Sequence, residues 1–513
     1  MKTNSRTSQT HPLQIAEVQA GEGSGRIGIT FCPGKKDSRA MSGAWDRDLD
    51  IDLDRIAEWG AVAVVSLIQE HEMKHLQVTD LGTKVRARQM TWFHLPIRDV
   101  SVPDRAWEVQ WTKASGQLRG MLAAGFDILV HCKGGLGRAG LVSARLLVEM
   151  GEDPRVAIRQ VRQVRPGAIE TSEQERHVLA TRPVSPAEPA RTLDATRDRA
   201  MGAFLGLAVG DAIGTTLEFS ARDSHPLLED MVGGGPFRLG PGEWTDDTAM
   251  ALALAFSLED CGKLDPHDLM NRFVSWRDEG TYSCNGRCFD IGSTTTRALS
   301  RFLERNNPLA GSDDPNSAGN GSLMRLAPVA VRYWYDADQR REAAALQSRT
   351  THAAREAVDA CVGFSDMLGD AISGMSREQV LADREFDGAP AVAAVLGGSW
   401  RGKARRDIRS SGYVIDTLEA AIWCVARTGS FRDAVLLAAN LGDDADTVAA
   451  VTGQLAGALY GKSGIPDAWL EGLALRGRLA ASAARLFGAG VTEAPSFNTG
   501  SLPFGSVSAR TRH

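Results

Sequence analysis

Two short stretches of this 513-residue chain concentrate carboxylates: Glu243-Trp244-Thr245-Asp246-Asp247-Thr248 and Gly442-Asp443-Asp444-Ala445-Asp446-Thr447. Each sets acids and a threonine hydroxyl directly ahead of a run of small apolar residues, 249–256 in one case and 448–459 in the other. Runs that are apolar almost all round suit helices buried inside a helical domain. Each cluster is therefore expected at a helix N-terminus, where the macrodipole favours ionised carboxylates. If the two helix starts converge, four carboxylates share one concavity and their repulsion calls for a cation. Only hard oxygen donors are on offer, with no His or Cys in either cluster, which points to Mg²⁺ or Mn²⁺ rather than zinc. One such cluster alone is an ordinary helix cap; two of the same form, each heading a buried helix, point to a metal site.

A different chemistry is written between Asp127 and Gly140, where strand, glycine-rich loop and helix follow in turn and Cys132 and Arg138 stand in Cys-x5-Arg spacing. Gly134, Gly135 and Gly137 let the loop curl, so that backbone N–H groups from Lys133 through Leu136 to Gly137 face an anion. Arg138, opening the helix, can grip two phosphate oxygens as a fork. Cys132 at the base meets a positive potential that favours its thiolate, and a thiolate beneath a bound phosphate is a nucleophile aimed at phosphorus.

Holding these residues in place requires two different scaffolds. Strands are expected at 26–31, 61–68, 91–97 and 127–131, with helices at 48–59, 70–84, 105–124, 139–150, 154–165 and 172–180. That order predicts an α/β domain with a parallel sheet over 26–182. Residues 181–190 carry three prolines, and 183–196 read as a linker. Over 197–488 strand signals nearly vanish and an all-α domain is expected. The polar ends, 1–25 and 489–513, read as flexible. Arg155, Arg159, Arg162 and Arg165 share one helix face, expected to be solvated.

Composition excludes some roles. With 43% hydrophobic and 24% charged residues and a net charge of −6, nothing favours broad nucleic-acid binding. Apolar runs such as 61–68 are too short to cross a bilayer, and the start lacks an apolar secretory segment. Seven scattered cysteines do not form a disulfide framework, so a reducing cytoplasm is the expected location.

With these residues in view, 26–182 resembles the cysteine-dependent protein phosphatases, in particular dual-specificity phosphatases of the kinase-inhibitor-associated type. The resemblance implies a general acid on an upstream loop: Asp99 in His94-Leu95-Pro96-Ile97-Arg98-Asp99, with Asp104 in reserve. It also exposes a departure. The family usually places Ser or Thr directly after the arginine, to help release thiolate from phosphocysteine; here that position is Ala139.

Residues 197–488 resemble the ADP-ribosylglycohydrolase family. The motifs that carry this occur in the family's order: 206–214 with Glu218-Phe219, then Trp244 to Thr248, Cys288 to Gly292, Gly319 to Arg325, Thr351-His352, and Gly442 to Thr447. The resemblance implies an all-α fold with two Mg²⁺ ions, Mn²⁺ in some members. Thr245, Asp246, Asp247, Asp444, Asp446 and Thr447 are the implied ligands, with Asp443 outside them. Glu218 is the implied acid/base or gate. Asp290 is placed to meet a cationic aglycone, and Gly319, Asn320, Gly321, Ser322 and His352 line the substrate. The expected whole is a hydrolase of the bond between ADP-ribose and an acceptor, on a protein or a small molecule, joined to a phosphatase domain with a phosphorylated substrate. The alternative is a phosphate-binding module that targets or regulates the hydrolase. Sequence leaves the acceptor open among arginine, serine, a nucleic-acid end and a small metabolite.

Overall fold

The computed structural model describes residues 5–40, 43–186 and 188–494. Its first half is a sheet of five strands in the order β1-β2-β7-β5-β6: β1 (Ala16–Gln19), β2 (Arg26–Phe31), β5 (Ala61–Ser66), β6 (Thr91–His94) and β7 (Asp127–Cys132). A separate two-stranded ribbon pairs β3 (Lys36–Asp37) with β4 (Trp45–Asp46). Helices α1 (Leu49–Trp59), α2 (Glu70–Leu76), α3 (Leu81–Ala87), α4 (Arg105–Ala123), α5 (Gly137–Glu149), α6 (Pro154–Val164) and α7 (Ser172–Ala180) cover it. The central strands are apolar on both faces because both are covered. Val64 and Leu129 pack into a core with α1 to α3, while Ala63, Val65, Ile128 and Val130 face α4 and α5.

Three expectations need correction. The sheet is mixed, not parallel: β1 runs antiparallel to β2 and lies in the segment expected to be flexible. It is a four-residue edge strand with only Val18 buried, too short to register as an alternating pattern. The single helix expected at 70–84 is two, because Gln77 takes a left-handed turn (φ 58°) that ends α2. Finally, the apolar runs are not all short. Helix α8 (Leu193–Gly214), extended to Leu217, is long and apolar enough to span a bilayer, yet 89% of its most apolar window is buried within the fold.

The second half is helical, and no strand element follows β7 among the described residues. After α8 come α9 (Asp246–Cys261), α10 (Pro266–Glu279), α11 (Ser293–Arg305), α12 (Ala327–Arg332), α13 (Ala337–Thr351), α14 (Arg355–Ser373) and α15 (Arg377–Val380). Then follow α16 (Pro390–Leu396), α17 (Val414–Arg427), α18 (Phe431–Ala439), α19 (Ala445–Tyr460), α20 (Asp467–Gly472) and α21 (Arg476–Glu493). The last helix runs past the boundary expected at 488, and residues 495–513 of the expected tail lie outside the described residues.

Helices α8 and α19 form the axis of this half. Gly202, Gly206, Gly210 and Gly214 make a stripe along α8 that rests on the α19 backbone. A methyl group at any of the four would overlap a carbonyl oxygen, of Gly457, Gly453, Ala449 and Ala445 respectively. Spacing of four residues keeps the stripe on one face, and absence of side chains lets the two helices touch.

Candidate functional site

The starts of α9 and α19, some two hundred residues apart in sequence, lie together. Carboxylate oxygens of Asp211, Asp247 and Asp446 are within 4.8 Å of one another, as are those of Glu218, Asp444 and Asp446, and of Asp246, Asp290 and Asp446. Asp446 belongs to every group, so seven acids surround one point. Thr245 is the N-cap of α9, and its hydroxyl reaches Asp211 (2.9 Å), Asp446 (3.1 Å) and Asp247 (3.3 Å). Asp446 accepts the Thr447 N–H at 2.7 Å, and the Thr447 hydroxyl bonds Asp444.

Burial, then the Asp446 charge, pushes Asp444 and Asp211 up to about 7 and Asp290 up to about 9. The same causes push Glu218 up to about 12. Burial and the surrounding acids hold Asp246 and Asp247 well above the usual carboxylate range. Without a cation these groups cannot all ionise. No Lys or Arg among the described residues forms an ion pair with any of the seven. Asp247 Oδ1 is buried without a hydrogen-bond partner. An orphaned oxygen facing other acids, in a set of hard donors, fits a divalent cation.

The rim differs from expectation in part. Glu218 Oε2 accepts the Asp446 N–H (3.1 Å), which ties it to the head of α19. Asp443 is exposed; its backbone donates to Ser220 O and accepts from Phe219 N, both at 2.7 Å, so it holds the Glu218 loop rather than the cluster. Phe219 meets Phe237 edge-on at 6.2 Å and Phe237 meets Phe289 at a tilt at 5.3 Å, carrying an aromatic ledge between Glu218 and Asp290. The Asn320 amide donates to Asp444 (2.5 Å) and Thr417 (2.9 Å), buttressing the cluster. Gly319 and Asn320 spend their N–H groups on Ser317 O and Gly412 O, so they do not offer them to a ligand. Ser322 is a correction too: its hydroxyl is fully buried and accepts from Ser348 (2.8 Å), facing the core. His352 packs beneath Gly321, and burial drives it down to about 3, leaving the ring neutral.

At the C-terminal end of the central strand β7, where open α/β sheets place their ligands, lies the phosphate cradle. Cys132 is 3% exposed, and the Gly135 N–H donates to its sulfur at 3.2 Å. Gly135 has φ +70°, and a side chain there would strike the backbone of Thr30 and Phe31. Lys133 stands 3.9 Å from Asp37, and Gly134 is open on its Cβ side. Gly137 opens α5, with Leu136 as its N-cap. Arg138 is buried and held by both Glu72 oxygens (2.7 and 2.8 Å), the Ile97 carbonyl (3.0 Å) and Asp99 (2.9 Å). Asp99 therefore sits beside the cradle, mostly exposed. Asp104 does not: it caps α4 by accepting the Trp107 N–H (2.8 Å).

Three participants escaped sequence reasoning. Asp211, within the 206–214 motif, accepts from the N–H and hydroxyl of both Thr245 and Thr248. Glu72, on α2, fixes Arg138. Arg165, expected on a solvated face, turns onto the cradle and donates to Gly135 O (3.0 Å) and Gly134 O (3.4 Å), steering those carbonyls outward. Of the three, Asp211 alone had a signal, an acid in an otherwise apolar glycine-striped run.

Comparison with known proteins agrees with this division. A family model for ADP-ribosylglycohydrolase matches residues 192–495, and one for a Swiss Army Knife DSP-PTPase phosphatase domain matches 40–178. The ADP-ribosylarginine hydrolase Tri1 of Pseudomonas putida is 47% identical over 326 residues, 61% of this chain and 88% of that protein. The ADP-ribosyl-[dinitrogen reductase] glycohydrolase of Rhodospirillum rubrum is 34% identical, over 54% of this chain and 91% of its own. Among solved structures, an ADP-ribosylglycohydrolase-related protein complex is 43% identical with a TM-score of 0.52, covering 57% of this chain and 99% of that one.

Proposed function

Since the chain belongs to the ADP-ribosylglycohydrolase family, with a phosphatase-like domain ahead of it, we propose that it removes ADP-ribose from arginine in a divalent-metal-dependent hydrolysis. The observation that carries this reading is the convergence of the α9 and α19 starts on Asp446. Thr245, Asp246, Asp247, Asp444, Asp446 and Thr447 would hold the metal, Mg²⁺ or Mn²⁺. When bound, it supplies positive charge that orients ribose hydroxyls and activates water. Glu218, tied to the head of α19 by the Asp446 N–H, is placed to give a proton to the departing nitrogen. Asp290 and the aromatic ledge present a carboxylate and π faces to a guanidinium. The 47% identity to an ADP-ribosylarginine hydrolase supports arginine as acceptor. Release of ADP-ribose from arginine-linked and serine-linked substrates, with and without Mg²⁺ and in Asp246→Ala, tests it. Metal-independent release, or full activity in Asp246→Ala, would overturn it.

For the first domain we propose a slow phosphatase. The Cys132 thiolate attacks phosphorus, the P–O bond to the leaving group breaks, and Asp99 protonates the departing oxygen; water then cleaves the S–P bond. The second reading, a phosphate-binding module, is favoured by Ala139, which offers no hydroxyl for that last step. Turnover of a generic aryl phosphate that disappears in Cys132→Ser decides for the phosphatase. The reducing cytoplasm expected from scattered cysteines remains our proposed location.

A further inference from the structure

Away from both sites, a cleft of about 710 Å³ opens between the two domains, a volume typical of small-molecule sites. The joint around it is fixed: Gln117 Nε2 donates to Gly429 O at 2.8 Å, and Phe126 meets Trp423 edge-on at 6.3 Å. Into the cleft face Arg86 and Lys113 of the first domain and Arg427 and Arg432 of the second, against Glu229 and Asp433.

Arg427 is the telling residue. It is 7% exposed, lies over Trp423 at 4.8 Å, and donates to one carbonyl, Gln89 O, at 3.2 Å. No carboxylate among the described residues pairs with it, whereas the buried Arg47 has Asp52 and Arg138 has Glu72 and Asp99. Arg199 and Arg325, also buried without a carboxylate, are each held by several carbonyl, amide or hydroxyl acceptors. Burial lowers it to about 10, and nearby Arg405 adds to that effect. A cation at this depth without an anion is costly. Of the two acids, Asp433 is engaged by the Ser430 hydroxyl (2.7 Å). Arg86 and Lys113 at the rim carry no ion pair among the described residues, while Arg86 stacks over Trp92. Across from the arginine, Gln89 Oε1 is buried without a partner and would accept from a hydroxyl or amine.

We infer that the interdomain cleft binds a phosphate-bearing small molecule, its phosphate on Arg427 with Arg86 and Lys113 at the entrance, and a hydroxyl or amine donor on Gln89.

Calorimetric titration of the full chain in EDTA, with ADP and with pyrophosphate, tests this. Arg427→Gln and the rim pair Arg86→Glu/Lys113→Glu are each expected to weaken binding at least tenfold. ADP-ribose release and aryl phosphate turnover, measured without the ligand, should stay unchanged in both. ADP binding tighter than pyrophosphate marks a nucleotide-like ligand using Gln89, and the reverse order marks free polyphosphate; either order supports the site. Titrations identical in parent and variants would place all binding in the two catalytic sites and overturn it. So would loss in Arg427→Gln alone, with the rim pair binding like the parent, since that pattern reports a damaged fold.

Discussion

Thr245 donates both its backbone N–H and its hydroxyl to a single oxygen of Asp211, at 2.8 and 2.9 Å. Thr248 does the same to the other oxygen, at 3.0 and 2.6 Å. One carboxylate on α8 thus sets the first turn of α9, from which Asp246 and Asp247 project. An amide there has one acceptor oxygen and turns N–H groups toward donors. Asp211→Asn is expected to lower stability by about 1–3 kcal/mol for the donors left unmade. By analogy with other supporting residues it should weaken divalent-cation affinity roughly 10–100-fold. ADP-ribose release titrated against Mg²⁺, beside a thermal melt, checks both.

Removing metal should make stability fall as pH rises. Asp211 and Asp444 rise from an ordinary 3.8 to about 7 in the metal-free fold. The native state then binds protons more tightly than the unfolded chain. The stability this gives is fully present below about pH 4 and is lost as pH climbs through 7. Melting in EDTA is expected to weaken between pH 5 and 8, and saturating Mg²⁺ should remove that decline. Equal slopes with and without Mg²⁺ would speak against a metal at this cluster.

Ala139 is fully buried where a hydroxyl would serve phosphocysteine hydrolysis. Ala139→Ser is expected to raise steady-state turnover of an aryl phosphate several-fold while leaving the initial burst unchanged. If neither parent nor variant turns over, the domain is a binding module.

Glu72 holds Arg138 by two charge-assisted bonds in a buried setting. Glu72→Gln leaves that cation only the exposed Asp99 as an anionic partner, and breaking a buried pair costs up to about 3–5 kcal/mol. Chemical unfolding measures it. Vanadate or phosphate affinity should fall in the same variant, because the fork loses its orientation.

Phe219 is 68% exposed and has φ +58°, an unfavourable backbone for an aromatic residue. Phe219→Gly relieves that conformation, by about 1 kcal/mol, and removes the outer ring of the ledge. Stability is expected to hold or rise while KM for an ADP-ribosylated protein increases. Opposite signs would separate a binding role from a structural one.

Much of this site was legible because each cluster is local in sequence. Thr245 to Asp247 and Asp444 to Thr447 announce themselves as acids before a buried helix, and Cys132 to Arg138 fit within one loop. What stayed hidden acts across the chain. Glu72 serves an arginine 66 positions later, and Arg165 grips a loop 30 residues back; neither spacing has a periodic signature. β1 was missed because four residues at a sheet edge owe their conformation to β2 rather than to their own pattern. Ser322 shows the converse: a polar residue in a promising motif, turned inward by contacts from α13 and α14.

The glycine stripe of α8 has a consequence for how this protein can diversify. Where main chain leans directly on main chain, there is no side-chain layer to absorb a substitution, so the distance between the acid-bearing helix starts cannot drift by small steps. New substrate preferences must then arise at the exposed rim, in residues such as Phe219, while the floor of the pocket stays frozen.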